Sequence, residues 1–180
     1  MSNKPINILT ICGSLRSPSS NELILDTLKQ FAPTFVNFTD YKGLAELPHF
    51  NPEYDNEKVE ESVKYLRQLI QNADGLVICT PEYAFGVPGS LKNSFDWTVS
   101  SGDYYNKPVA LITASSSGEK AHESLHHTFT AMGAILNDEC RMLISHVRTK
   151  INKGEVSDID TLDKLSILIN TLLKVIDKSL

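Results

Sequence analysis

The sequence has few cysteines, no long apolar run and no cluster of positive charge. Its three cysteines, Cys12, Cys79 and Cys140, match no metal-binding spacing, and their odd number does not indicate a disulfide framework. No stretch approaches the roughly 18 apolar residues that a membrane span needs, and the apolar run from Ile6 is too short for a signal peptide. We therefore expect a cytoplasmic protein with reduced thiols and no membrane partner.

Excess positive charge is also missing. The chain has 22 Asp and Glu residues against 17 Lys and Arg residues, which gives a formal net charge of −5. Nucleic acids and anionic membranes are bound by clustered Lys and Arg side chains, so we expect neither as a partner. The 180 residues contain no internal repeat, low-complexity tract or linker, which predicts a single domain over residues 1–180.

Strand-like and helical patterns alternate along the chain. Apolar runs predict four strands at 6–12, 35–38, 75–80 and 109–114, and a fifth at either 134–136 or 142–144. Apolar residues at helical spacing predict helices at 21–31, 59–70, 90–97, 125–132 and 162–176. This order predicts an α/β fold with a doubly wound, parallel five-stranded sheet and helices on both faces. Ligands of such sheets bind beyond the carboxyl ends of the strands, so the loops after Cys12, Thr80 and Ala114 should line any site.

The first of these loops, G-S-L-R-S-P-S-S-N over residues 13–21, is rich in hydroxyl groups and contains one guanidinium. With the N–H groups at the start of the following helix, it offers the donors that a phosphate monoester needs. A helix N-cap would account for one serine but not for the whole set. The residues of this loop predicted to bind the phosphate-bearing ligand are Ser14, Leu15, Arg16, Ser19, Ser20 and Asn21. A thiolate phosphatase with Cys12 as nucleophile would need an Arg six positions later, where this chain has Pro18.

The second loop carries the longest motif, P-E-Y-A-F-G-V-P-G-S-L-K-N-S-F-D-W over residues 81–97. It resembles the P-E-Y-N-x-x-x-P-G-x-L-K-N-A-x-D-W signature of the NAD(P)H-dependent FMN reductase family, and the first loop resembles that family's G-S-L-R-x-x-S-x-N. Residues 47–51, L-P-H-F-N, and 132–134, M-G-A, are similar to two shorter motifs of the family. The family includes quinone, chromate and azo-dye reductases.

The resemblance implies a flavodoxin-like fold that binds FMN and uses NADPH or NADH as co-substrate. It implies ping-pong electron transfer to a small acceptor such as a quinone, free flavin, azo compound or metal oxyanion. Hydride transfer needs no acid or base from the protein, so we predict no catalytic side chain. The resemblance also implies a homodimer or homotetramer. Trp97 is expected in the core or at a subunit contact rather than at the cofactor, and the resemblance favours the subunit contact. No evident pair of basic residues marks a 2′-phosphate site, so the sequence does not decide between NADPH and NADH.

The flavin ring is expected between the second and third loops. Tyr83 and Phe85 can present flat apolar faces to it, and backbone N–H groups near Glu82 and Tyr83 can bond its polar edge. The third loop, S-S-S-G over residues 115–118, departs from the family's glycine-rich pattern, and Ala84 replaces an Asn. The residues of these loops predicted to bind the cofactor are Pro81, Glu82, Tyr83, Ala84, Phe85, Ser115, Ser117 and Gly118.

Three other functions remain open. A flavodoxin-type electron carrier would bind FMN without oxidising NAD(P)H efficiently. An FMN-binding sensor without turnover is allowed by Ala84 and the altered third loop. The pattern H-E-x-x-H at 122–126 is typical of zinc proteases, but it aligns with a helix of the reductase family and no third ligand is evident. We therefore predict no metal site.

Overall fold

A parallel five-stranded sheet forms the centre of the fold in the computed structural model, which describes residues 5–179. The strands are β1 (Ile6–Cys12), β2 (Val36–Tyr41), β3 (Gly75–Thr80), β4 (Pro108–Ala114) and β5 (Ile135–Ile144). Their order is β2-β1-β3-β4-β5, and each neighbouring pair is parallel. The chain leaves β1 towards one edge and returns to β3 on the other side, so the order reverses between β1 and β3. The predicted doubly wound, flavodoxin-like sheet is confirmed.

Helices cover both faces of the sheet. They are α1 (Ser20–Lys29), α2 (Glu61–Asn72), α3 (Gly89–Val99), α4 (Glu119–Ala131) and α5 (Ile159–Ser179). α1 and α5 pack on one face, while α2, α3 and α4 pack on the other. Every residue of β3 is buried, with Val77 and Cys79 in the first layer and Leu76 and Ile78 in the second. A strand covered on both faces is apolar throughout, which explains why its bounds could be predicted from the sequence.

β5 joins the two segments that the sequence offered as alternatives. It runs over ten residues, and its pairing with β4 shifts register between Val109 and Leu111. A bulge of this kind lets an edge strand continue past a stretch that lacks apolar periodicity. The polar residues 137–139 lie in that stretch, and Asp138 and Glu139 are exposed. Both predicted segments, 134–136 and 142–144, therefore overlap the same strand.

The turn-rich segment between β2 and α2 is fastened to α3. Trp97 Nε1 donates to the Pro48 carbonyl oxygen at 2.7 Å, and the Arg67 guanidinium contacts Asp55 at 2.7 Å while donating to the Trp97 carbonyl. Trp97 is 1% exposed within this one chain. Of the two expected places for Trp97, core and subunit contact, the structure favours the core, where the ring joins the 47–51 motif to the 81–97 motif.

The chain after β5 was not foreseen in the sequence. A short 3-10 helix (Val147–Lys150) leads into a hairpin of β6 (Ile151–Asn152) and β7 (Glu155–Val156) before α5 begins. None of the helices in the described part of the chain has the length and apolar character needed to cross a bilayer.

Candidate functional site

Loops after β1, β3 and β4 meet at the carboxyl edge of the sheet. β1 and β3 are neighbours, so the loops that follow Cys12 and Thr80 lie side by side at the reversal of strand order. A cavity of about 570 Å³ opens at this edge. Its volume is in the range of protein pockets that hold small ligands and cofactors.

The first loop starts with a close approach to β3. The Gly13 amide donates to the Cys79 carbonyl oxygen at 2.8 Å, and a β-carbon at residue 13 would collide with the side chain of Thr80. Only glycine allows this approach. The buried Ser14 then accepts a hydrogen bond on Oγ from the Arg16 amide at 3.2 Å. The loop is thereby held against β3 before α1 begins.

The first turn of α1 presents hydrogen-bond donors to the cavity. Ser19 is the N-cap: its Oγ accepts from the Glu22 amide at 3.1 Å, and the Glu22 carboxylate accepts from the Ser19 amide at 3.0 Å. Within the described residues, the amides of Ser20 and Asn21 have no acceptor, and both residues line the cavity. Arg16 belongs to the same lining. This end of the cavity therefore offers positive charge and N–H donors to an anion.

The second loop ends in a tight turn at Tyr83–Gly86. These two residues exchange backbone hydrogen bonds of 2.9 and 3.0 Å, and Ala84 and Phe85 between them have φ angles of 49° and 60°. Two successive positive φ angles are typical of a type I′ turn. The Tyr83 amide is thus used inside the loop, and the Glu82 amide donates to a serine hydroxyl of the third loop at 3.2 Å. Both of these amides therefore have acceptors within the protein, and the predicted contact between backbone N–H groups near Glu82 and Tyr83 and a flavin ring stays a prediction.

The Glu82 carboxylate ties the second loop to the third. One of its oxygens accepts from the Ala121 amide at 2.8 Å, and the other accepts from the Gly118 amide at 3.3 Å. These donors stand at the start of α4, where negative charge is favourable. Gly118 has a φ of 112°, and a β-carbon there would approach the Leu143 side chain to 2.8 Å. Glu82 therefore holds the third loop in place, and Ser115 and Ser116 of this loop line the cavity.

A fourth wall, residues 144–149, was missed in the sequence. The Ser115 amide donates to the Ile144 carbonyl oxygen at 3.1 Å, and the Val147 amide donates to the Ser115 carbonyl oxygen at 3.0 Å. The cavity-lining residues of this segment are His146, Val147, Arg148 and Thr149. These residues follow β5, and a position just after a strand of a parallel sheet is one signal of a ligand site. The sequence did not give this signal because it left β5 at either 134–136 or 142–144.

Most of the predicted cofactor-binding residues are brought together. The nine that line the cavity are Ser14, Arg16, Ser19, Ser20, Asn21, Pro81, Glu82, Tyr83 and Ser115. The other five of the fourteen, which lie outside the lining, are Leu15, Ala84, Phe85, Ser117 and Gly118. Leu15 is 59% exposed and Phe85 is 81% exposed, so these two side chains stand in solvent near the loops. Pro18 and Ser116 line the cavity without having been predicted.

Cys12 lies beneath the first loop. Its Sγ is 3.7 Å from the Ser14 carbonyl oxygen and 3.8 Å from Ser19 Oγ. Burial raises the pKa of the Cys12 thiol above its ordinary value, which favours the protonated form. A thiolate nucleophile requires the opposite shift. The raised pKa of Cys12 and the Pro18 at the position of the required Arg both argue against a thiolate phosphatase.

The H-E-x-x-H pattern lies on α4. His122 Nδ1 is 3.0 Å from Thr113 Oγ1, and the ring of His126 packs edge-on against His127. Partial burial, with Arg141 and His126 nearby, lowers the pKa of His122 below its ordinary value. In the part of the chain that the structure describes, no three His, Cys, Asp or Glu side chains are grouped to hold a metal ion.

Anion-binding donors at the reversal point of a 2-1-3-4-5 parallel sheet define the flavodoxin-like class, which holds FMN at this position. The chain belongs to the NADPH-dependent FMN reductase family, whose model matches residues 6–148. The family resemblance of the two loop motifs is thereby confirmed.

Two relatives and one solved structure show the extent of the similarity. The chain is 32% identical over 174 residues to a quinone reductase of Escherichia coli K12, covering 92% of each chain. It is 31% identical over 163 residues to a 2-hydroxy-1,4-benzoquinone reductase of a Burkholderia species, covering 87% of this chain and 88% of the relative. A flavoenzyme NAD(P)H:(acceptor) oxidoreductase of Paracoccus denitrificans shares the fold, with a TM-score of 0.78 and 24% identity over 96% of this chain and 98% of that one.

Proposed function

We propose that this protein is an FMN-dependent enzyme that passes electrons from NADPH or NADH to a small acceptor. The observation that carries the proposal is the cavity between the first and second loops, which combines Arg16, the free amides at the start of α1 and Tyr83. Membership of the FMN reductase family supports the cofactor, and the two relatives named as quinone reductases support a quinone as acceptor. Azo compounds, free flavins and metal oxyanions are the other acceptors to be compared.

The residues of the cavity fit FMN. Arg16 and the amides of Ser20 and Asn21 would bind its phosphate, with the hydroxyls of the first loop completing the shell. Tyr83 and the third loop, residues 115–118, would hold the ring. FMN, when bound, supplies the hydride and electron chemistry, so we assign no catalytic side chain.

One cavity would serve both substrates in turn. The first, second and third loops and the wall at residues 144–149 surround a single opening at the carboxyl edge of the sheet. NADPH or NADH and the acceptor would therefore compete for the same space. If the dinucleotide must leave before the acceptor can enter, the kinetics should be ping-pong, with parallel lines in double-reciprocal plots.

We further propose a single domain that forms a homodimer or homotetramer in the cytoplasm. Both core layers pack on the same sheet, which supports one domain. A groove of about 590 Å³ between α3 and α4 contains Val99 and Tyr105, which are 62% and 69% exposed. Exposed apolar side chains of this kind support a subunit contact. The three free cysteines support a reducing compartment.

FMN binding and its dependence on Arg16 test the proposed function. Protein reconstituted with FMN should release about one FMN per chain on heating, as identified by chromatography. Charge-assisted phosphate contacts contribute about 1.5–3 kcal/mol, so Arg16→Ala should weaken FMN binding by roughly ten- to a hundredfold. Riboflavin lacks the phosphate, so its affinity should be almost the same for both proteins.

A matched variant controls for the loss of charge. Lys58→Ala removes an exposed cation outside the cavity lining and should bind FMN as the wild type does. Equal losses of FMN and riboflavin affinity in Arg16→Ala would indicate a damaged fold. Wild-type protein that stays colourless in excess FMN, or that selects FAD, would contradict the proposed function.

A further inference from the structure

The arginines of this chain fall into two groups. Arg67 contacts Asp55 at 2.7 Å, and Arg141 contacts Asp138 at 2.5 Å. Arg16 and Arg148 form no salt bridge with any residue in 5–179, and both line the cavity. In a chain of net charge −5, two arginines without carboxylate partners among the described residues line the same cavity. Such an arrangement attracts anions.

The two guanidinium groups come from separate walls. Arg16 is on the first loop, whereas Arg148 follows β5 in the 3-10 helix. The chain before Arg148 is fixed to the third loop, because the His146 amide donates to the Ser116 carbonyl oxygen and Ser145 Oγ donates to the Ser117 carbonyl oxygen, each at 3.1 Å.

The backbone conformation of the wall at residues 144–149 places His146 and Arg148 in the cavity lining. His146 has a φ of 52°, in the left-handed region, and the following Val147 is 6% exposed within the core. Arg148 and His146 lie on either side of this buried anchor, and both line the cavity. Positive φ angles at non-glycine residues are uncommon and cluster at functional sites.

The positive charge of the cavity exceeds what one phosphate requires. Arg16 with the amides of Ser20 and Asn21 already forms an anion site. Glu82 contributes the only carboxylate among the described lining residues, and its oxygens accept from the amides of Gly118 and Ala121. Arg148 therefore remains available for a second anionic group.

We propose that Arg148 binds the 2′-phosphate of NADPH and makes the enzyme prefer NADPH to NADH. This inference rests on the proposed function, which supplies a dinucleotide as the second phosphate-bearing ligand of the same cavity. A guanidinium presents paired N–H donors to a phosphate monoester, and an arginine commonly accommodates the 2′-phosphate in dinucleotide sites. Arg148 is exposed and belongs to the cavity lining, so a dinucleotide whose nicotinamide end lies against the bound flavin would have its adenosine end free to reach this side chain.

The test compares Arg148→Gln with wild type in FMN-loaded protein. Binding of 2′,5′-ADP, which cannot be oxidised, is measured by calorimetry with 5′-AMP as the ligand lacking the 2′-phosphate. Arg148→Gln should weaken 2′,5′-ADP binding about tenfold or more and lower kcat/KM for NADPH by a similar factor. FMN affinity and kcat/KM for NADH should be unchanged. Lys153→Asn, which removes an exposed cation outside the lining, should behave as the wild type.

Four results would overturn the proposal. A loss of FMN affinity would place Arg148 at the FMN phosphate, and equal losses for NADPH and NADH would place it at the pyrophosphate. A change confined to the KM of an anionic acceptor such as chromate would assign it to that substrate. Unchanged binding and kinetics would leave it without a ligand role. Failure of the proposed function is distinct, because wild-type protein would then oxidise neither dinucleotide.

Discussion

Ala84 has a left-handed backbone conformation that Asn adopts more readily than Ala. It is exposed, and its φ of 49° lies in the left-handed region, where a β-carbon is unfavourable by about 1–2 kcal/mol. Asn tolerates this conformation at the first central position of a type I′ turn. Ala84→Asn should therefore stabilise the apoprotein by about 0.5–1 kcal/mol and raise Tm by about 1–4 °C in a thermal unfolding experiment.

A β-branched residue at the same position gives a control of opposite sign. Ala84→Val adds a branch that the left-handed region disfavours, so it should lower Tm. Because residue 84 is exposed, neither change alters core packing. Stabilisation by both substitutions, or by neither, would show that backbone conformation does not determine the stability of this turn.

Single residues of the site were predictable where a local motif carried them. Arg16 and Ser19 lie in one short loop before a helix, so their chemistry is visible in a few consecutive letters. Arg148 joins the cavity only through the backbone pairing of residues 144–147 with residues 115–116, and no local pattern records that contact. The use of the Tyr83 amide inside a turn was hidden for a related reason: the turn depends on φ angles at Ala84 and Phe85 that neither residue type favours.

At the scale of elements, the start of α4 depends on a side chain from another loop. Gly118 is its N-cap and supplies no side chain, while Glu82 accepts hydrogen bonds from the amides of Gly118 and Ala121. Loss of an N-cap interaction with its charge costs about 1–2 kcal/mol. Glu82→Ala should lower the free energy of unfolding of the apoprotein by that amount in urea, and Glu82→Gln should lower it by less.

Glu119 provides the matched comparison for this cap. It is an exposed acidic residue in the first turn of α4, and Glu119→Gln removes a charge near the same helix terminus without removing the Glu82 hydrogen bonds. The expected cost is about 0.3–1 kcal/mol, from the helix dipole alone. If Glu82→Ala cost no more than Glu119→Gln, the two hydrogen bonds would have no measurable part in fixing the third loop.

Elements were predicted best where burial made their sequences uniform. The predicted bounds of β1 and β3 agree with the structure because both strands are apolar runs ended by a turn residue or a loop. The sequence offered two separate segments for β5 because this strand lies at the sheet edge, contains a register shift and has polar residues in its middle. The hairpin of β6 and β7 has two residues in each strand, too few for a periodic pattern to be visible.

At the scale of the whole molecule, the order of elements determined where the site should be. Alternating strands and helices with right-handed crossovers leave few sheet orders, and a reversal of strand order creates a crevice at the carboxyl edge. The cavity lies in that crevice. The alternation of strands and helices could not predict that residues 144–149 form a wall of the cavity, because the position of these residues depends on how far β5 extends along the edge of the sheet.

The reductive half-reaction is the most direct test of the central claim, that the cavity makes this chain an NAD(P)H-dependent flavin enzyme. FMN-reconstituted protein is mixed anaerobically with NADPH or NADH while the visible absorbance of the flavin is followed, and a quinone is added afterwards. The account predicts complete bleaching at a rate no slower than steady-state turnover, then recovery of the oxidised spectrum when the quinone enters. Flavin that binds but is not bleached by either dinucleotide would contradict the account and indicate an electron carrier or a sensor.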